Sequence, residues 1–590
     1  MRLPLTLAAL LLSLFLAAQT RFPTLFEKSG GSQSPTYPEI IRWWEGLAGR
    51  SPLLQLRQMG PTDAGAPLHL VLVSGSRTFD PASARKKGHT ILFVNNGIHP
   101  GEPDGIDASM LLVRDIVLGK YRLPDNVLLA LIPVYNIGGA LNRSPYYRVD
   151  QNGPTDKGFR GNSQNLDLNR DFIKCDARES VSFTRIFRWL DPDVFVDNHV
   201  SNGADYQHVM TLLTTQHNKL GGIMGTYLKE SFEPALYPMM KAKGFDLAPY
   251  VNHWNAGPPD AGWPQFFDGP RYSSGYACLW NTFAFVPETH MLKPYPQRVA
   301  ATRAMMECFI EYAGMQGSHL QRLRREAREQ QLQQKRFPLA WRWDRSQSRS
   351  ITFKGYEASY RNSLVSGKPR LFYDRNRPFE KQVPFFDVYR DSLFVDCPDA
   401  YIIPQGWWKV IGLLEANGIK MRRLERDTVV EVETYRIEQY TAAPRPYEGH
   451  HPNSNVQVSL KKIQKQFRKG DYWIHTKQAG RRFLVETLEP QGEDSYFAWN
   501  FFDPILGAKE GFSDYVFEET AATFLEQQPD LRRELEERRH SDSAFAQSAQ
   551  AQLYFIYQRS PYREPEHLRY PVFRVRFPQP SIRKVPAAQP

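Results

Sequence analysis

Four stretches of this 590-residue chain hold side chains able to do chemistry together. In residues 91–105, ILFVNNGIHPGEPDG, an apolar run enters a Gly/Pro-rich loop that presents His99 and Glu102 three positions apart. An imidazole nitrogen and a carboxylate oxygen on one tight loop can both reach a Zn2+ ion at roughly 2 Å. In residues 191–208, DPDVFVDNHVSNGADYQH, a short apolar strand ends at His199. Open α/β sheets bind ligands beyond the carboxyl ends of their strands, so His199 is a candidate third ligand on the same rim. Three protein ligands with a fourth position left to water describe a catalytic zinc site, whereas a structural site is closed by four, often with cysteine. None of the four cysteines has that spacing.

The third stretch, GFRGNSQNLDLNRDF at residues 158–172, is too polar for a core and suits a loop that grips an anion. Arg170 with Asn169 can hold a carboxylate through a charge-assisted fork, and Arg160 can face an oxygen that turns negative during attack on a carbonyl. The fourth, TFAFVPETHMLKPYPQRV at residues 282–299, closes an apolar strand with Glu288. A carboxylate beside a water whose pKa a metal has lowered to around 7 can take its proton. His290 competes with Glu288 for that role. Each stretch also has an ordinary reading as a turn or a solvated loop, so their meaning lies in the combination.

In this order, HPGE, the run RGNSQNLDLNRDF, a strand-terminal histidine and a later strand-terminal glutamate resemble the zinc metallocarboxypeptidase family over residues 43–313. The resemblance implies one Zn2+ held by His99, Glu102 and His199. It also implies carbonyl polarisation by Arg160, which stands nine residues before Asn169, and a clamp of Asn169 and Arg170 on the substrate's terminal carboxylate. Glu288 takes the place of the general base, and the implied substrates are peptide or protein C-termini. Two features depart from the family pattern. Asp171 stands where the family motif has a second asparagine, and the tyrosine that closes the site is either Tyr272 or Tyr276, with Tyr272 preferred.

The elements needed to position these groups can be read from hydrophobic periodicity. Residues 69–73, 90–94, 127–135, 193–198 and 283–286 read as strands, and 106–118 and 181–190 as helices. This alternation predicts an α/β domain, a mixed and mostly parallel sheet flanked by helices, over residues 37–318. In residues 319–341 the apolar stripe thins to Leu323, Ala327 and Leu332, which predicts a solvated helical linker. Residues 342–578 read as a second mixed α/β or β-rich domain of accessory role, and 579–590 as a flexible tail. Within the second domain, residues 400–424 read strand, helix, a stop at Gly418, then strand.

Composition narrows the function classes. With 41% hydrophobic residues, 23% charged residues and a net charge of +11 spread along the chain, the profile is that of a globular protein that binds no nucleic acid. Arg2 and the apolar run 3–18 predict a signal peptide over 1–20 and export to the periplasm or beyond, with no membrane span after its removal. In an oxidising compartment the four cysteines allow three full pairings. No GxSxG, HExxH, Walker loop or GxGxxG following a strand occurs. His450 and His451, in YEGHHPN, read as a water-exposed loop, and residues 482–503 as domain packing. Two other functions fit the same residues: an amide hydrolase acting on acylated amino acids or cell-wall stem peptides, and a secreted binding module that has lost activity.

Overall fold

The computed structural model describes residues 22–254 and 257–577. The expected signal peptide and the tail 579–590 lie outside the described residues. Among the described residues, nine strands form the principal sheet. Its parallel centre runs Val127–Ile132, Thr90–Asn95, Val194–Asp197, Phe283–His290. Antiparallel neighbours extend it on both sides, Pro67–Ser74 and Leu54–Pro61 on one and Met210–Thr214 on the other. The expected mixed, mostly parallel sheet is therefore present.

Central strands are buried on both faces, which is why VLLALI and the ILFV within TILFVN read as apolar runs. Alternate residues face opposite layers. Leu92 and Val94 pack with Ile106, Met110 and Val113 of the helix Asp104–Val117 and with Met305 and Phe309 of the helix Tyr295–Gln333. Ile91 and Phe93 pack with Phe183, Ile186 and Phe187 of Arg178–Leu190 on the other face.

Two expectations change here. The helix Tyr295–Gln333 does not lead out into solvent: Leu320 and Leu323 are buried, and the equally buried Arg324 pairs with Asp193 (2.5 Å) and Asp191 (2.9 Å). The thin apolar stripe hid this because the packing face uses an arginine as its polar anchor. Residues 319–341 are helix only as far as Gln333, and Arg336–Trp343 is a strand.

Beyond it, Arg349–Asn362 and Pro369–Phe386 form a long antiparallel hairpin. A six-stranded sheet follows, in which the strand Ala400–Ile403 and the hairpin Thr428–Ala442/Asn453–Phe467 take part. The helix Trp408–Ala416 and the strand Arg422–Arg423 follow the predicted order. Hydrophobic packing is continuous across residue 342: Phe187, Tyr276 and Trp280 share one cluster with Tyr401, Leu414, Phe483 and Tyr496. Fully burying each such side chain contributes roughly 1.5–3 kcal/mol. All four cysteines are buried free thiols, so none of the allowed pairings is formed. Among the described residues no helix is long and apolar enough to cross a membrane.

Candidate metal centre and carboxylate pocket

Three strands deliver the principal groups to one rim. The loop after Thr90–Asn95 carries His99 and Glu102, and His199 follows Val194–Asp197. His199 starts a short strand, His199–Ser201, that pairs in parallel with Phe283–His290 and lies opposite Glu288 in the register. Glu288 thus sits within a strand rather than at its end, and the pairing brings it beside His199.

His99, Glu102 and His199 offer ligand atoms that all lie within 4.8 Å of one another. Nδ1 of His99 is 3.3 Å from Glu102 Oε1, and Nδ1 of His199 is 3.1 Å from Glu102 Oε2. Each ring donates its other nitrogen to a carboxylate, His99 Nε2 to Asp167 (2.9 Å) and His199 Nε2 to Asp197 (3.0 Å). That is the arrangement that fixes the tautomer and orientation of a metal-binding histidine. Nδ1 of His99 is buried and makes no hydrogen bond of its own. An orphaned nitrogen facing a carboxylate and a second Nδ1 fits a cation better than it fits a closed hydrogen-bond network.

Electrostatics agree with that fit. Burial raises the pKa of Glu102, but Arg148, His99 and His199 outweigh it and hold the carboxyl well below its usual range. Arg148 Nη1 donates to Glu102 Oε1 at 2.7 Å, and the Val200 amide donates to Oε2 at 2.8 Å. Burial lowers the pKa of His199, yet Asp197 and Glu102 carry it well above the ordinary value. Glu288 is pushed up to about 8 by removal from bulk water, with His199 pulling it down and Glu102 raising it. A divalent cation among the three ligands would replace the proton on His199 and draw the Glu288 carboxyl down.

The polar run at residues 158–172 folds around Asp167. Its Oδ1 accepts from His99 and from the Asn169 amide (2.9 Å), and its Oδ2 from Arg160 Nε (2.9 Å). Arg170 donates Nη1 to the Asn169 carbonyl (2.8 Å) and lies 4.6 Å over the Tyr272 ring. All eight expected site residues, His99, Glu102, Arg160, Asn169, Arg170, His199, Tyr272 and Glu288, line a single cavity of about 720 Å³.

The alternatives separate clearly. Tyr276 is fully buried and donates its hydroxyl to Asn417 (2.8 Å), away from the cavity. His290 is buried against the Ala204 carbonyl (2.9 Å), and burial lowers its pKa to about 4. Asp171, the departure from the family motif, turns inward: it pairs with buried Lys174 (2.6 Å) and caps the Asp176 and Ala177 amides. Its charge is matched by the buried Lys174 ammonium.

Sequence reasoning missed several lining or supporting residues. Asp197 carried a signal, since it stands two positions before His199. Arg148 and Tyr250, which also line the cavity, belong to no motif. The aromatic segment after residue 482 does pack the interior, and Asp494 within it accepts from Arg271 Nε (2.7 Å), next to Tyr272. His450 is not simply solvated, because it pairs with Asp176 at 2.8 Å.

With these groups in place, the chain is similar to the zinc metallocarboxypeptidases, as HPGE and the DLNR run indicated. Among curated proteins it is similar to carboxypeptidase 2 of Trichophyton equinum, 20% identical over 422 residues, which is 69% of this chain and 72% of that protein. It is likewise similar to carboxypeptidase 2 of Trichophyton rubrum, 20% identical over 488 residues, covering 79% of this chain and 84% of the relative. Among solved structures it is similar to a metallo-carboxypeptidase from Pseudomonas aeruginosa in complex with (2-guanidinoethylmercapto)succinic acid, at 15% identity and a TM-score of 0.36, over 48% of this chain and 69% of the other. Carboxypeptidase A from Helicoverpa armigera gives 14% identity and a TM-score of 0.35, over 49% and 74%. No family model matches the chain.

Proposed function

We propose that this protein is an exported zinc metallocarboxypeptidase that releases residues from the C-termini of peptides or proteins. The observation that carries the reading is the meeting, in one cavity, of a histidine–glutamate–histidine group with an orphaned Nδ1 and an Asn169/Arg170 pair suited to a carboxylate. Zn2+ would be held by His99, Glu102 and His199, and when bound it supplies a Lewis acid that polarises the substrate carbonyl and acidifies water.

The chain's own residues do the rest. Arg170 and Asn169 hold the substrate's terminal carboxylate, which makes the centre an exopeptidase. Arg160 faces the oxygen that gains charge during attack, where a preorganised donor is most effective. Glu288 takes a proton from the attacking water and passes it to the leaving amine. Asp167 and Asp197 keep the two imidazoles oriented through their Nε2–H groups.

The test is Glu288→Gln in the full-length chain. Its kcat should fall by roughly 10²–10⁴-fold, the usual contribution of a positioned base, while metal analysis still finds the metal bound. Unchanged turnover on peptides would remove Glu288 from the mechanism. Preference for N-acyl amino acids over peptides would move the protein to the amide hydrolases.

A further inference from the structure

Residues 443–452 join the strands Thr428–Ala442 and Asn453–Phe467 of the second sheet, yet the tip of this hairpin rests on the cavity rim. Tyr447 and His450 exchange backbone hydrogen bonds of 2.7 and 3.1 Å, which leaves Glu448 and Gly449 as a two-residue turn. Both turn residues have left-handed backbone, with φ of +50° and +79°. Such a turn favours Asn, Asp or Gly at its first position, so glutamate there is strained.

A strained residue that the surroundings retain points to a use for its side chain. Glu448 Oε2 accepts from the Asp167 amide at 2.7 Å. Asp167 is the hub that ties His99, Arg160 and Asn169 together, so this contact pins the backbone of the hub from outside. The neighbouring Tyr447 hydroxyl accepts from Arg170 Nε at 3.0 Å. Its ring stacks on Trp499, with centroids 6.2 Å apart and planes at 21°. Trp499 is itself fixed by donation from Nε1 to Asp494 (3.1 Å). Arg170 is thereby held on three sides: by Tyr272 beneath its face, by the Asn169 carbonyl and by Tyr447. On the far side, His450 ties the tip to Asp176.

We infer that residues 447–450 are a strap by which the C-terminal part of the chain positions the carboxylate clamp, Tyr447 acting through Arg170 and Glu448 through Asp167. Recognition of a free substrate carboxylate then depends on residues that stand 277 and 281 positions beyond their partners in the sequence. This inference rests on the proposed carboxypeptidase activity for its kinetic test but not for its structural one.

The kinetic test compares Tyr447→Phe, which keeps the stacked ring and loses the acceptor, with the unaltered full-length chain on a peptide bearing a free C-terminus. KM should rise on the order of ten-fold, the loss of one hydrogen bond to a charged group, with kcat changed less than about two-fold. Glu448→Ala should raise KM similarly, and Glu448→Gln, which retains an acceptor, should restore it. The structural test is hydrogen exchange in residues 158–172: Glu448→Ala should expose the Asp167 amide and speed its exchange about ten-fold, whether or not the protein hydrolyses peptides. Unaltered exchange in Glu448→Ala, or a Tyr447→Phe variant that loses kcat and keeps KM, would overturn the strap. An unaltered chain that releases no C-terminal residue, with exchange responding as expected, would sink the activity and leave the strap standing.

Discussion

Residues 91–290 provide every side chain that the proposed reaction touches, whereas residues 336–577 reach Asp167 and the cavity-lining Arg170 through a hairpin tip and its backing aromatics. The two contributions differ in kind. Groups that meet a metal or a substrate must have particular types in particular short-range patterns, such as HPGE and DLNR. Groups that hold those groups in place need only be within hydrogen-bond reach, and here the partners are 281 and 277 residues apart in sequence. One contribution can be read from motifs, and the other only from the folded chain.

The largest expected effect removes the second region altogether. A chain ending at residue 343 should fail to fold, because Tyr401, Leu414, Phe483 and Tyr496 complete the cluster under the helix Arg178–Leu190. Circular dichroism and thermal melting would register this, and a cooperative melt at the temperature of the full-length chain would show that the first region stands alone. Next comes the double replacement of His99 and His199 by alanine. It should abolish stoichiometric metal and peptide hydrolysis together while leaving the melt cooperative, since it acts only on the chemical side of the comparison. Smaller again is Asp197→Asn, which removes the carboxylate partner of His199 Nε2. Metal affinity should weaken by about 10–100-fold, measurable by competition with a chelator. The changes expected for Glu288→Gln and Tyr447→Phe sharpen the contrast, one falling on kcat and the other on KM.

The sheet was legible because its central strands are buried on both faces and leave apolar runs, and the candidate site because its residues fall in short motifs such as HPGE and DLNR. What separates Glu288 from His290 is pairing, which no motif shows: the register sets Glu288 opposite His199, while His290 is bonded to a backbone carbonyl. Arg324 shows how a helix can be buried without an apolar stripe when its packing face carries a guanidinium matched to two aspartates. Asp171 looked like a change in the clamp and is instead a neutralised cap beside Lys174, a role that requires knowing which way the side chain turns. Arg148 left no trace in any motif, because its contact with Glu102 joins residues 46 apart across two loops.

The central claim is that one cavity combines a metal centre with a grip on a chain end. Mass spectrometry of the products from a peptide with a free C-terminus and from its C-terminal amide, each with and without a chelator, tests it most directly. The expected result is stepwise loss of terminal residues from the free peptide alone, abolished by the chelator. Internal cleavage, equal attack on the amide, or hydrolysis indifferent to the chelator would contradict it.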